Sequence, residues 1–203
     1  MRDIAGVILA GGENTRFPSL KGFIRIGEAS ILERNLALLR EQFREVFIST
    51  NMPEKYFHFG APLIGDVLPS KGPMSGIYSS LLNAEGEGIF VAACDMPFLN
   101  PGLISLVCRK HLGLTVQADA TIPVFRGEAQ PLAGIYCKSI VPLLEEGILK
   151  GKTSLRRFLG EIRTNFIDEE EVRALDPEGM SFANINTMED YERIIATGKE
   201  SKR

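Results

Sequence analysis

Two glycines followed by two cations are the first residues in this chain that could do chemistry. Gly11 and Gly12 end a short apolar run, and Arg16 and Lys21 follow within the next ten residues. Backbone amides in such a loop can approach phosphate oxygens closely while the two cations neutralise their charge. The loop lacks the Gly-Lys-Ser/Thr entry into a helix of one common phosphate loop and the three spaced glycines of the dinucleotide-binding loop. A surface turn with solvated charges is the plainer reading of Gly-Gly beside a lysine. Its position directly after a buried first strand weighs toward a phosphate ligand.

Further candidates also follow strand-like runs. Asp95 ends the wholly apolar segment Ile89-Phe90-Val91-Ala92-Ala93, where a carboxylate can bind Mg²⁺ that bridges phosphate oxygens, or can instead cap the helix starting near Pro101 or close a turn. Asn51 follows the second apolar run, and Asp66 follows a short one at Pro62 to Ile64. Gly65-Asp66 and Gly72-Pro73-Met74-Ser75-Gly76 bracket a loop into a helix whose N-terminus can face an anion, ordinary loop and cap chemistry being the alternative. Asn184 and Asn186 alternate along an extended segment, which puts two amides on one side, although paired asparagines before a helix often only make turns. Cys94 has no base nearby in sequence and reads as a packing residue. His58 and His111 read as surface or helix-end residues.

The elements that must position these residues alternate. Ile4 to Leu9 reads as a strand buried on both faces. Ser30-Ile31-Leu32-Glu33 has the capping-box form and opens a helix to about Phe43. Glu45 to Thr50 is a strand, Gly72-Pro73 introduces a helix to about Asn83, and Gly88 to Ala93 is a third buried strand. Pro101 to Leu112 reads as helix, Asp119 to Val124 and Pro131 to Cys137 as strands around an Arg126-Gly127 turn, and Ser139 to Glu146 as helix. Thr153 to Gly160 should be helical and Ile162 to Ile167 extended. Thr187-Met188-Glu189-Asp190 caps a last helix to about Thr197. Crossovers of this length imply a mostly parallel central sheet covered by helices on both sides, a three-layer α/β/α domain over residues 1–197 with a frayed tail at 198–203. Ligands of such sheets bind beyond the carboxyl ends of the strands, where the candidates fall.

Bulk properties remove several classes of function. The 203 residues can bury one substantial core, and 44% hydrophobic with 24% charged residues is ordinary globular composition. A net charge of -3 gives no global field for nucleic acid or anionic membranes, so any phosphate binding must be local. No apolar stretch approaches the ~20 residues that span a bilayer, and the first residues lack a leader pattern. Cys94, Cys108 and Cys137 are an odd, dispersed set without metal or redox spacing, which fits reduced thiols in the cytoplasm.

Leu9-Ala10-Gly11-Gly12 with Arg16 and Lys21, Gly72-Pro73-Met74-Ser75-Gly76-Ile77, Cys94-Asp95-Met96-Pro97, Pro131-Leu132-Ala133-Gly134-Ile135-Tyr136 and Asn184-Ile185-Asn186-Thr187-Met188-Glu189-Asp190 occur in that order. Together they resemble the molybdenum cofactor guanylyltransferase family of Rossmann-like nucleotidyltransferases over nearly the whole chain. The resemblance implies GTP contacts at Leu9, Ala10, Gly11, Gly12, Lys21, Asn51, Asp66 and Asp95. It implies Mg²⁺ on Asp95, charge stabilisation by Arg16 and Lys21, and Asn184 and Asn186 on the molybdopterin side. GMP would pass from GTP to the terminal phosphate of molybdopterin. Transient docking to molybdoenzyme maturation proteins is implied by the pathway alone. Pro18 stands where the family usually has glycine and Leu20 where an acidic residue is usual; Pro18 removes an amide donor and fixes φ. A CTP-using relative, a sugar-phosphate acceptor and a binding protein without activity stay open.

Overall fold

The computed structural model describes residues 3–11, 21–68, 72–185 and 190. Strand β1 (Ile4–Leu9) is buried at every position because it lies between two parallel neighbours. Its alternate side chains feed two separate cores, Ile4 and Ile8 on one face and Ala5, Val7 and Leu9 on the other. After β1, a 3-10 turn at Lys21–Phe23 leads to the two-residue strands β2 (Arg25–Ile26) and β3 (Ala29–Ser30), which pair as a small separate hairpin. Helix α1 (Ile31–Gln42) starts at the expected capping box: the Ser30 N–H donates to Glu33 Oε2 at 2.6 Å and the Glu33 N–H to Ser30 Oγ at 3.2 Å. Strand β4 (Val46–Ser49), a one-turn helix α2 (Pro53–Tyr56) and β5 (Leu63–Ile64) follow.

Helix α3 (Pro73–Asn83) begins after Gly72, whose φ of +86° is one that side-chain-bearing residues rarely adopt. Strand β6 (Gly88–Ala93) and helix α4 (Pro101–Leu112) coincide with their expected ranges. Strand β7 (Ala120–Phe125) turns through Arg126 and Gly127, both left-handed with φ of 53° and 70°, into the short β8 (Glu128–Ala129). Strand β9 (Ala133–Cys137), helices α5 (Val141–Leu149) and α6 (Leu155–Leu159), strand β10 (Thr164–Ile167) and helix α7 (Glu169–Arg173) complete the described elements.

Among the described residues the central sheet runs β10-β7-β9-β6-β1-β4-β5, with β8 paired to β7. β9 runs antiparallel to both neighbours and the other six strands of that row share one direction, which makes the sheet mostly parallel. Leu32, Leu36 and Leu39 of α1 and Leu103, Ile104 and Val107 of α4 cover one face. Met74, Ile77 and Leu81 of α3, Leu144 of α5 and Phe158 of α6 cover the other. The three-layer α/β/α order read from the sequence is therefore present.

The differences are local. Helix α5 starts later than expected, after a 3-10 turn at Lys138–Ile140, and runs on to Leu149; α6 is shorter than Thr153 to Gly160, with Ser154 as its cap. The β2–β3 hairpin, α2 and α7 were not expected, because elements of two to five residues carry too little periodicity to register. Asp168-Glu169-Glu170-Glu171 was a readable start signal for α7, since acidic residues favour a helix N-terminus. The expected last helix and the tail at 198–203 lie outside the described residues, apart from Asp190, which is helical.

Candidate active site

Four loops meet at the carboxyl ends of the parallel strands. The Ala10 N–H donates to Ser49 O at 2.8 Å, the Cys94 N–H to Leu9 O at 3.0 Å and the Thr50 N–H to Ile64 O at 2.8 Å, so the pairing of β5, β4, β1 and β6 continues past the strand ends. Leu9 and Ala10 are buried, and Gly11 is exposed beyond them. By sheet order, the end of β1 has the ends of β4 and β5 on one side and the end of β6 on the other.

On the first side Asn51 and Asp66 hold each other. Asn51 Nδ2 donates to Asp66 Oδ2 at 2.8 Å, and the Asp66 N–H donates to Asn51 Oδ1 at 2.8 Å. The Val67 N–H donates to Ser79 Oγ at 2.9 Å, which ties this loop to α3. Gly76, in the first turns of α3, lets that helix close on the strands. A Cβ there would lie 2.8 Å from Ser49 Oγ, 3.0 Å from Leu9 Cδ2 and 3.9 Å from Asp66 Oδ1.

On the second side Asp95 is half-buried in the turn that leaves β6. It does not cap α4, because Asn100 does so by accepting from the Gly102 N–H at 2.7 Å. The Ala93 N–H donates to Met96 Sδ at 3.3 Å, and Asn35 Nδ2, on the buried face of α1, donates to Met96 O at 3.0 Å. Gly22 packs over the same turn: a Cβ there would sit 3.4 Å from Cys94 Cβ and 3.6 Å from Cys94 O. The main chain of Lys21 thus stands beside the Asp95 turn. Cys94 packs against the core, the role expected of it.

Asn184 reaches this side through its neighbour. The Ile185 N–H donates to Asp95 O at 3.3 Å, and the Ile185 side chain is buried with Ile24 and Ile31. Asn184 is exposed and lines a cavity of about 160 Å³ with Met96, Gln130, Leu132, Arg156 and Phe182. A larger groove of about 730 Å³ continues from it past Phe125, Arg126 and Gly179. Arg156 Nη2 is 2.8 Å from Glu128 Oε2 on the wall of that groove.

The structure therefore brings Leu9, Ala10, Gly11, Asn51, Asp66, Asp95 and Asn184 to one end of the sheet. Gly12, Arg16, Pro18, Leu20 and Asn186 lie outside the described residues. Asn35, Gln130 and Arg156 escaped the sequence reading. Asn35 left a signal, a polar residue inside the apolar stripe Leu32, Leu36 and Leu39, whereas Gln130 and Arg156 left none. His111, expected at a surface or helix end, ends α4 but is half-buried: Nδ1 lies 2.9 Å from Thr121 Oγ1 and Nε2 3.4 Å from Cys137 Sγ. Burial pushes its pKa down and pushes the Cys137 thiol up to about 11, so neither is poised for chemistry here.

No cluster of three or more His, Cys, Asp or Glu among the described residues could hold a metal by itself. The Asp95 carboxylate is a hard oxygen ligand of the kind that binds Mg²⁺ alongside substrate phosphates and water.

An α/β sheet with helices on both faces, and with glycine, asparagine and carboxylate loops gathered at its carboxyl edge, defines a nucleotide-binding class. The MobA-like NTP transferase domain matches residues 6–166, and the chain belongs to that family. It is 33% identical over 201 residues to a probable molybdenum cofactor guanylyltransferase of Peptoclostridium acidaminophilum, covering 98% of this chain and 91% of that protein. A protein of the same description from Pelotomaculum thermopropionicum is 31% identical, with 100% and 97% covered. Molybdopterin-guanine dinucleotide biosynthesis protein A from Archaeoglobus fulgidus shares the fold at a TM-score of 0.80 and 24% identity, over 97% of this chain and 99% of that one.

Proposed function

We propose that this protein transfers GMP from GTP to the terminal phosphate of molybdopterin, forming a guanine dinucleotide cofactor and releasing pyrophosphate. The observation that carries this reading is the convergence of Leu9 to Gly11, the Asn51–Asp66 pair, Asp95 and the Asn184 cavity at one end of the sheet. Full-length relatives described as guanylyltransferases supply the choice of substrates.

In this reading the triphosphate lies along the loop after β1, with its charge met by amides of that loop and by Arg16 and Lys21. The Asn51–Asp66 pair holds the nucleoside side, and the acceptor enters from the Asn184 cavity; the resemblance assigns Asn186 to the acceptor as well. A phosphate oxygen of the acceptor attacks the α-phosphorus in line, the bond from that phosphorus to the bridging oxygen breaks, and pyrophosphate carries the electron pair away. The attacking oxygen holds no proton near neutral pH, so no general base is required. Catalysis rests on positioning and on charge stabilisation. Mg²⁺ on Asp95 would neutralise charge on the triphosphate oxygens when bound.

Cys94, Cys108 and Cys137 take part in no disulfide, which fits the reducing cytoplasm as the setting. No helix among the described residues is long and apolar enough to cross a membrane. The test is pyrophosphate release from GTP, CTP, ATP and UTP, each with and without molybdopterin and with and without Mg²⁺. Release that needs GTP, molybdopterin and the metal together is expected. Release with CTP instead, or none with any nucleotide, would overturn the reading.

A further inference from the structure

The turn after β6 has a support that neither the resemblance nor the proposed reaction assigns. Asn35 is 2% exposed on the face of α1 that otherwise presents Ile31, Leu32, Leu36 and Leu39 to the core. An amide in that place is costly to bury unless it is hydrogen-bonded, and asparagine is a weaker helix former than leucine. Leucine would fill the stripe at lower cost. What asparagine gives instead is one directed bond, from Nδ2 to the carbonyl of Met96, across 61 residues of sequence.

That carbonyl belongs to the residue following Asp95. The Asp95 carbonyl itself accepts from the Ile185 N–H at 3.3 Å, and the Ala93 N–H donates to Met96 Sδ at 3.3 Å. Two successive peptides are thus held from different elements, one from the Asn184 segment and one from α1. A turn fixed at both peptides limits the directions in which the Asp95 side chain can leave the backbone.

We propose that Asn35 is a positioning residue for nucleotidyl transfer: by holding Met96 O it fixes the Cys94-Asp95-Met96 turn, so that Asp95 presents its carboxylate in one orientation to a divalent cation on the triphosphate. This rests on the reading of Asp95 given above. Asn35 touches neither nucleotide nor metal in this account and acts through the turn alone.

The test compares Asn35→Leu with Asp95→Asn in the full-length protein. Mn²⁺ is titrated by electron paramagnetic resonance in the presence of GTP and without molybdopterin, so affinity is read apart from turnover; kcat and KM for GTP are then measured with acceptor. Asn35→Leu is expected to weaken Mn²⁺ binding and to lower kcat, each by about tenfold, the scale seen when a group supporting a metal ligand is lost. Its KM for GTP and its unfolding midpoint should stay near those of the unsubstituted protein. Should Asn35→Leu fail to fold, Asn35→Ser takes its place, with a side chain too short to reach Met96 O. If Asp95→Asn loses Mn²⁺ affinity while the Asn35 variant keeps both affinity and kcat, Asn35 is merely structural and the positioning role is overturned. If Asp95→Asn itself keeps Mn²⁺ affinity, the reading of Asp95 falls and the role of Asn35 falls with it.

Discussion

Asn51 and Asp66 show how a pair of exposed side chains can be ordered before any ligand arrives. Each gives the other one hydrogen bond, so the Asp66 carboxylate is held on Oδ2 and the Asn51 amide has a fixed sense. Asn51→Ala is expected to raise KM for GTP about tenfold, the effect of losing one hydrogen bond to a charged group. Because the pair is exposed, its unfolding midpoint should hardly move. If the two act as a unit, Asn51→Ala combined with Asp66→Ala costs less in kcat/KM than the sum of the single losses. Strictly additive losses in that double-mutant cycle would show that they act independently. Both residues were legible as candidates because each follows an apolar run. Their mutual bond was not, since it depends on β4 and β5 being neighbours in the sheet. Asn35 was hidden for a related reason: its partner is set by the packing of α1 on the turn after β6, which no local pattern encodes.

The elements were legible where they are long and buried. β1, β6 and α4 lie where apolar runs and the Pro101 start signal put them, and the Ser30–Glu33 box fixes the start of α1. Ser30→Ala should therefore cost about 1 kcal/mol of stability, the usual value of an N-cap, measured by urea unfolding. The β2–β3 hairpin was illegible because two-residue strands show no period; the reversal of β9 against β7 was legible in the Arg126-Gly127 turn, whereas its pairing with β6 was not, because a neighbour across the sheet follows from packing. Helix α3 depends on how closely it approaches the sheet. Gly76→Ala would force a methyl to 2.8 Å from Ser49 Oγ and 3.0 Å from Leu9 Cδ2, both on strands that cannot yield freely. The overpacking should cost roughly 1–3 kcal/mol, more than the ~1 kcal/mol that alanine gains over glycine in a helix. Adding Ser49→Ala removes the nearer atom, so the Gly76→Ala penalty should shrink in that background. An unchanged penalty would place the clash at Leu9 rather than at Ser49.

Across the whole molecule, two of the groups that contribute to acid stability sit at the opposite end of the sheet from the candidate site. Asp119 and Arg163 meet where β7 and β10 begin, with Arg163 Nη2 at 2.9 Å from Asp119 Oδ1 and Arg163 Nε at 3.0 Å from Oδ2. The bonds from Arg163, with a further one from Ser139, hold the Asp119 carboxyl at about 2, below its ordinary 3.8. His111 lies between α4, β7 and β9, and burial holds its pKa below the ordinary 6.5. Both folded-state values are depressed, so both groups bind protons more readily in the unfolded chain. Stability from such groups is complete above the unfolded value and is lost as the pH falls through the folded one. The urea midpoint should therefore decline in two stages on acidification, one beginning below about pH 6.5 from His111 and one between about pH 4 and pH 2 from Asp119. His111→Gln should flatten the first stage and Asp119→Asn the second, each leaving the other in place. Because both groups are remote from the strand ends that carry Asp66 and Asp95, neither variant should alter the pH profile of kcat for GTP turnover. A His111→Gln curve parallel to that of the unsubstituted protein below about pH 6.5 would remove burial of His111 as the cause of the first stage. A shifted kcat profile in either variant would show instead that the two ends of the sheet are coupled.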